Sequence, residues 1–421
     1  MSLFRVGSIY LIGNLLNAVI PFMLLPILTR YLSQEEYGKI AMFQLLVSAF
    51  SGVVGVGVIG AATRKYFDNV STSQLRAFNG ACFHVFFIST VIISLFVCFY
   101  SRELSELLSI PVDWVFTALA ISFLNFIIQI RLGQWQVRGQ AKLFGILQVT
   151  SSIINVGLSL FFVVALKLNA DGRIDASLIT VLIMALVSFF FLKRDDLVNL
   201  FTIKYKYIKE ALNFGLPLMP HIIGVFLLAS VDRYVVNDRL GLESAAIYMV
   251  SFQLSSTFSI VFDAINKVYI PWLFALLKND VEEEKLKVVK HTYLYFLFLL
   301  LLVGAGFLFA PPIVVFIAGE KYQQAGDLIG FLCAGQIFNG MYLMVTNYIF
   351  YSKKTKLLSV ITIITGVINV VLMVLFLECN GLIGVAQAFA IGQFLRFLFT
   401  WILSANVKRM PWLSPNLLNN C

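Results

Sequence analysis

Charge is scarce in this chain: Asp, Glu, Lys and Arg make up 13% of its 421 residues, against roughly 25% in an average soluble domain. That shortage excludes an ordinary water-soluble globule. Histidine occurs three times, and the five cysteines (Cys82, Cys98, Cys333, Cys379 and Cys421) are scattered without a CxxC or any other metal-ligand spacing. The cysteines therefore read as small core residues, and neither a metal nor a cofactor is expected. There is no phosphate-cradling GxxxxGKS/T loop, no HExxH pair and no nucleophile elbow. With no large polar segment to house group-transfer chemistry either, the chain is not expected to be an enzyme. Its start shows no charged segment followed by a short apolar stretch and a small-residue cleavage site, so the first apolar run is expected to be retained and the protein to begin at Met1.

Apolar length is what the chain has in abundance. Hydrophobic residues supply 60% of it, Phe alone occurs 40 times, and the mean hydropathy is +0.89. A hydrocarbon core about 30 Å thick takes roughly 20 apolar residues per helix. Twelve such runs can be placed, near 6–28, 40–62, 78–100, 113–131, 145–166, 174–192, 211–231, 245–270, 292–317, 327–351, 357–377 and 382–403. The expected fold class is an all-α integral membrane protein of about 12 transmembrane helices. With the N-terminus inside, 22 of the 31 Lys and Arg fall on the cytoplasmic side and 8 on the other, the bias of positive-inside insertion. Both termini are thus expected in the cytoplasm, and the net charge of +9 calls for no nucleic-acid partner.

The longest polar interval, Lys193 to Glu210, lies midway and divides the runs into two sets of six, so the domain reading is 1–195, a cytoplasmic linker 196–210, and 211–421. The halves resemble each other. KLFGILQVTSSIINVGLSLFFV (Lys142 to Val163) aligns without gaps on KLLSVITIITGVINVVLMVLFL (Lys356 to Leu377) with seven identities, and both carry a mid-span Asn, Asn155 and Asn369. TRY (Thr29 to Tyr31) likewise matches DRY (Asp232 to Tyr234). Repeats in the same orientation imply two six-helix lobes related by a pseudo-two-fold along the membrane normal. At the offset set by TRY and DRY, Pro217, Pro220 and Gly224 fall opposite Asn14, Asn17 and Pro21. Both halves thus weaken the same helix, and Pro21, Pro217, Pro220 and Gly224 are read as hinges beside a cavity, since a helix break in lipid survives only when buried in protein or lining water.

Polar residues inside the runs are few enough to weigh singly. In SSTFSIVFDAINKV, the residues Ser256, Ser259, Asp263, Asn266 and Lys267 fall within roughly 100° of one another on a helix. Asp263 and Lys267 are spaced to pair, and an intramembrane carboxylate is a functional candidate, so these two, with His221 beside the proline break, are read as ion-coupling groups. Arg30, Arg64, Arg131, Arg233 and Arg396 sit at or within span ends, with Asn14 and Asn17 between. Guanidinium groups match phosphate oxygens, so these seven are read as binding an anionic, phosphate-bearing substrate. Loop arginines also serve as plain headgroup anchors, and that alternative stands beside each.

GLPLMPHIIGVFLLASVDRYVVNDRLGLESAAIYMVSFQLS (Gly215 to Ser255) and the opening RVGSIYLIGNLLNAVIPFMLLPILTRYLSQEEYG resemble the O-antigen and capsule repeat-unit flippases of the multidrug/oligosaccharidyl-lipid/polysaccharide exporter superfamily. The resemblance extends to chain length and the six-plus-six layout, and it implies a lobe arrangement like that of the multidrug and toxin extruders (MATE-like). It further implies transfer of an undecaprenyl-diphosphate-linked glycan from the cytoplasmic to the periplasmic leaflet of the bacterial inner membrane by alternating access. A lateral opening to membrane lipid, coupling to H+ or Na+, and a polysaccharide polymerase and chain-length regulator as neighbours belong to the same expectation. A multidrug exporter of the same superfamily, or a membrane glycosyltransferase or polymerase, is the alternative. The cationic span ends favour an anionic cargo over a cationic drug, and the longest outer loop is too short for a polymerase.

Overall fold

The computed structural model describes residues 19–412 apart from Pro21, Asn69, Asp280 and Lys353; Asn14, Asn17 and Pro21, expected to matter, lie outside the described residues. Every regular element among those described is helical: α1 (Leu25–Tyr31), α2 (Gln34–Val53), α3 (Val58–Lys65), α4 (Thr72–Leu108), α5 (Val112–Val137), α6 (Ala141–Ser159), α7 (Asn169–Arg194), α8 (Tyr205–Gly215), α9 (Met219–Ala229), α10 (Val231–Ser255), α11 (Thr257–Asn279), α12 (Glu282–Ala318), α13 (Ala325–Tyr351) and α14 (Thr355–Val407). Among the described residues nine helices are long and apolar enough to cross a membrane, and α2 with α3, bent by 52°, make a tenth when counted together as one broken span. At 53 residues, α14 is about 80 Å long, more than twice a hydrocarbon core. Gly381, at φ 58° and ψ −137°, breaks it into two crossings. With the apolar run at 6–28, the total is about twelve.

Helix starts and stops follow local chemistry. Ser33 and Glu36 form a reciprocal capping box on α2, and Ser71 and Gln74 form another on α4, each satisfying donors that the first turn leaves orphaned. Between α2 and α3 the chain turns through left-handed backbone at Gly55, Val56 and Gly57 (φ 76°, 48° and 72°). Glycine removes the Cβ penalty at two of these three positions, and the Gly55 amide donates to Ser89 Oγ at 2.9 Å. A Cβ on Gly215 would strike the Val56 carbonyl, so the end of α8 is seated against this bend. Beyond Gly215 a 3₁₀ turn over Leu216–Leu218 carries Pro217, and α9 restarts at Met219 with Pro220 in its first turn, where a missing N–H costs little. Gly224 is buried within α9, and the backbone departs from helix again at Ser230.

The chain falls into two compact units: residues up to Phe226 with Val236–Ala246, and Leu227–Val235 with the residues from Ile247 onward. In the first unit α5 packs on α2 and α7, and α8 on α3 and α4. Its core is aromatic: Phe86 stacks on Phe126 with centroids 3.9 Å apart, and Phe83 meets both edge-on. Residues 196–210, read from sequence as a linker, lie along α4. Asn79 Nδ2 donates to the Leu197 carbonyl at 2.8 Å, His84 Nε2 to the Leu200 carbonyl at 2.8 Å, and Arg76 pairs with Asp196. In the second unit α13 packs against α11, α12 and α14 around Phe296, Phe397, Trp401 and Trp412. Outward-pointing apolar residues such as Phe99 and Phe316, 78% and 82% exposed, suit a lipid environment.

Candidate functional site

The first unit holds a cavity of about 290 Å³ lined by Ala61, Arg64, Lys65, Asp68, Phe78, Glu210, Asn213 and Phe214. Three helices bring it together with the turn that follows α3: α3 supplies the cations, the turn Asp68, α4 Phe78, and α8 the facing Glu210, Asn213 and Phe214. Lys65 Nζ is clamped between Glu210 at 2.6 Å and Asp68 at 3.2 Å. Arg64 is exposed, its guanidinium carbon 5.6 Å from the centre of the Phe214 ring. A cation stacked on an aromatic face keeps its N–H edge free for an anion, so of the two neighbours Arg64 is the one available to a ligand.

Arg131 has a different place from the one its sequence position suggested. It is fully buried, ion-paired through Nη2 with Asp195 and packed 4.2 Å from the Trp135 ring centre. Buried and neutralised in this way, it ties α5 to the end of α7 and offers no surface to a substrate in this conformation. Arg30 is exposed in the last turn of α1.

The second unit assembles a polar ladder from three helices. Arg396 of α14 is 8% exposed, lies 3.8 Å from the centre of the Tyr342 ring, and directs Nη1 at Asn339 Oδ1 (3.4 Å), while its Nε is buried without a partner among the described residues. Asn339 Nδ2 donates to Ser259 Oγ at 3.2 Å, and Ser259 donates to Gln336 Oε1 at 2.6 Å. Farther along, Asn347 donates to Asn266 Oδ1 at 2.7 Å. The polar stripe expected on α11 is therefore split. Ser259 and Asn266, about 20° apart on the helix, face α13. Asp263 and Lys267 lie roughly 40° and 80° round from Ser259, are exposed, and close no ion pair with each other. Their expected pairing is thus corrected: the seam with α13 takes one edge of the stripe, and the other edge is left outside it.

Arg233 and Asp232 also belong to the second unit. Asp232 is fully buried, its Oδ1 accepting from the Arg233 amide at 2.8 Å and its carboxylate lying beside the buried Tyr248 hydroxyl. Arg233 is half-buried, 5.0 Å from the centre of the Phe252 ring. His221 is half-buried in α9.

Comparison with known proteins places the chain. A family model described as polysaccharide biosynthesis protein matches residues 3–277. The chain belongs to that family. Among curated relatives, it is 28% identical over 381 residues to "Lsg locus putative protein 1" of Haemophilus influenzae, covering 89% of this chain and 91% of the relative. It is 24% identical over 420 residues to "Putative O-antigen transporter" of Shigella flexneri, covering 96% and 98%. Among solved structures, a multidrug resistance MATE family transporter of the MOP superfamily in its inward-facing conformation superposes with a TM-score of 0.70 at 17% identity, over 98% of this chain and 97% of that one. That likeness shows the fold, which is the MATE-like one expected.

Two polar groups in this family member escaped the sequence reading. Asp232 enters the sequence reading only as part of DRY, and Arg173 only as one of the eight Lys and Arg assigned to the outer side. For Arg173 a signal existed: Asn155, the repeat-matched amide, lies on α6, the helix next to α7, and a mid-span amide needs a partner. Nothing in the spacing said that the partner was an arginine.

Proposed function

We propose that this protein is a flippase that carries a polysaccharide repeat unit linked to undecaprenyl diphosphate from the cytoplasmic to the periplasmic leaflet of the bacterial inner membrane, with both termini cytoplasmic. The observation that carries this reading is the first-unit cavity, where Arg64 forms no ion pair among the described residues beside a Lys65 that Glu210 and Asp68 hold. By the Lys and Arg bias this cavity opens inward, where a cytoplasmic lipid diphosphate would load. Arg64 receives the diphosphate, and Arg396 and Arg233, held on aromatic rings and neutral amides, supply cationic groups in the second unit; Arg30 is a further contact near the outer surface. Arg131 acts as a strut. Family membership and the Shigella flexneri relative's name support the glycan class.

In this mechanism the bends at Gly55–Gly57 and Leu216–Leu218 are where α3 and α9 change angle, and the two states expose the cations to opposite leaflets. Coupling to H+ or Na+ falls to Asp263, the exposed carboxylate of α11, with Lys267 and His221 near it in sequence or at the break. The test is the fate of lipid-linked oligosaccharide in cells lacking this protein. Intact repeat units should accumulate on the cytoplasmic leaflet while surface glycan disappears, and the wild-type chain should reverse both. Unchanged surface glycan without accumulation, in a strain with no second flippase, would remove the reading and favour drug export.

A further inference from the structure

The position that the proposed mechanism leaves unused is Arg173, near the start of α7. Its Nη1 lies 3.0 Å from Asn155 Oδ1, 3.1 Å from Ser159 Oγ and 2.8 Å from Ser177 Oγ. The two serine hydroxyls donate elsewhere, Ser159 to the Asn155 carbonyl at 2.6 Å and Ser177 to the Arg173 carbonyl at 3.1 Å. Their lone pairs are thus turned to the guanidinium, and the two Nη1 protons are shared among three neutral acceptors. The opposite edge, Nε and Nη2, carries three more N–H donors that meet no acceptor among the described residues, and the side chain as a whole is half-buried.

Arg173 forms no ion pair among the described residues, and the segment 1–18 contains no Asp or Glu that could supply one. Elsewhere in the same unit Arg131 is neutralised by Asp195 and Lys65 by Glu210, while the half-buried Arg138, its guanidinium carbon 5.3 Å from the centre of the Tyr66 ring, closes no ion pair among the described residues. Nor does joining two helices require a charge here, since the protein does so with neutral pairs such as Asn347 with Asn266. An unneutralised cation within a span is costly, and a guanidinium fixed by one nitrogen with a free Nε/Nη2 edge has the fork that receives two oxygens of a phosphate side-on.

We infer that Arg173 is a preorganised oxyanion site of the first unit, built to take a phosphate group of the cargo. The inference rests on the flippase reading and adds a residue to it. By the same orientation that places Arg64 at the inner side, Arg173 lies toward the outer side, so the first unit offers the diphosphate one cation at each end of its passage. Asn155, Ser159 and Ser177 act as positioning residues that hold the fork.

The test is equilibrium binding of undecaprenyl diphosphate, phosphatidylglycerol and inorganic pyrophosphate to the purified full-length protein in detergent, with thermal unfolding measured in parallel. Arg173→Gln is expected to weaken undecaprenyl diphosphate binding about tenfold or more, and Arg173→Lys, which keeps the charge without the fork, to weaken it less. Ser177→Asp leaves Arg173 in place and supplies the missing carboxylate, so it should keep or raise thermal stability and still weaken binding. A merely structural arginine predicts the opposite pattern, with Ser177→Asp binding like wild type. Arg173-dependent binding of undecaprenyl diphosphate with weak pyrophosphate binding identifies the cargo lipid, whereas equal dependence for phosphatidylglycerol assigns the site to bulk headgroups and overturns the cargo role. Wild-type binding unaltered by Arg173→Gln and by Ser177→Asp overturns this inference alone, and a wild-type protein that binds none of the three probes overturns the flippase reading as well.

Discussion

Removing the charge of Asp195 separates two roles for Arg131 that sequence could not tell apart. Arg131 is fully buried, while the Asp195 side chain is 30% exposed. Breaking a buried pair from one side costs about 3–5 kcal/mol because the remaining charge is stranded; with Asp195 partly in solvent, about 2–3 kcal/mol is the better expectation. Asp195→Asn should therefore lower the unfolding midpoint of the detergent-solubilised protein by about 5 °C or more. Arg131→Met removes the charge while keeping an elongated apolar side chain against Trp135, and replacing a buried ion by a well-packed apolar group is often close to neutral. The order expected is thus Asp195→Asn worse than Arg131→Met, with the double variant recovering most of the loss, and with transport by Arg131→Met near that of wild type. Arg131→Met that unfolds like wild type but no longer moves lipid-linked glycan would refute the strut and return Arg131 to the substrate.

Arg64→Gln should cut transport at least tenfold with little change in unfolding midpoint, because the exposed side chain contributes mainly to the ligand; equal losses in stability and transport would place it in the scaffold. Arg396→Gln is expected to lose transport and about 1–2 kcal/mol of stability together, since it also gives up the contact with Tyr342, a combination that unfolding and transport assays on one preparation can check. Gly215→Ala should destabilise the first unit, since the new methyl group meets the Val56 carbonyl and must displace α8 or the bend; wild-type unfolding would show that the contact yields freely. Asp263→Asn should leave binding intact and make transport insensitive to an imposed proton or sodium gradient, and a variant that still responds to both gradients sets Asp263 aside.

The features legible in the sequence were those written in long-range averages. Twelve apolar runs, the charge bias between them and the repeated INV segments each summed many residues, and the helices α2 to α14 follow them closely. Breaks were legible where one residue type forces them, as at Pro217. The bend at Gly55–Gly57 was not foreseen, because VGVG reads as ordinary apolar sequence until Ser89, 34 residues away, is seen to hold the Gly55 amide. The same limit governs the charges. Sequence position separates a cation at a span end from one in a loop, but whether it is neutralised depends on partners far along the chain, such as Asp195 for Arg131 or Glu210 for Lys65. Read by location alone, Arg131 and Arg64 were equals and Arg173 was a loop residue. Read by partner, Arg131 is spent on a carboxylate, Arg64 stands open in a cavity, and Arg173 is gripped on one edge by neutral groups and meets no acceptor on the other among the described residues. A transporter of anions needs cations that are held without being neutralised, and it is the identity of the holder, amide and hydroxyl rather than carboxylate, that distinguishes such a residue from a structural one.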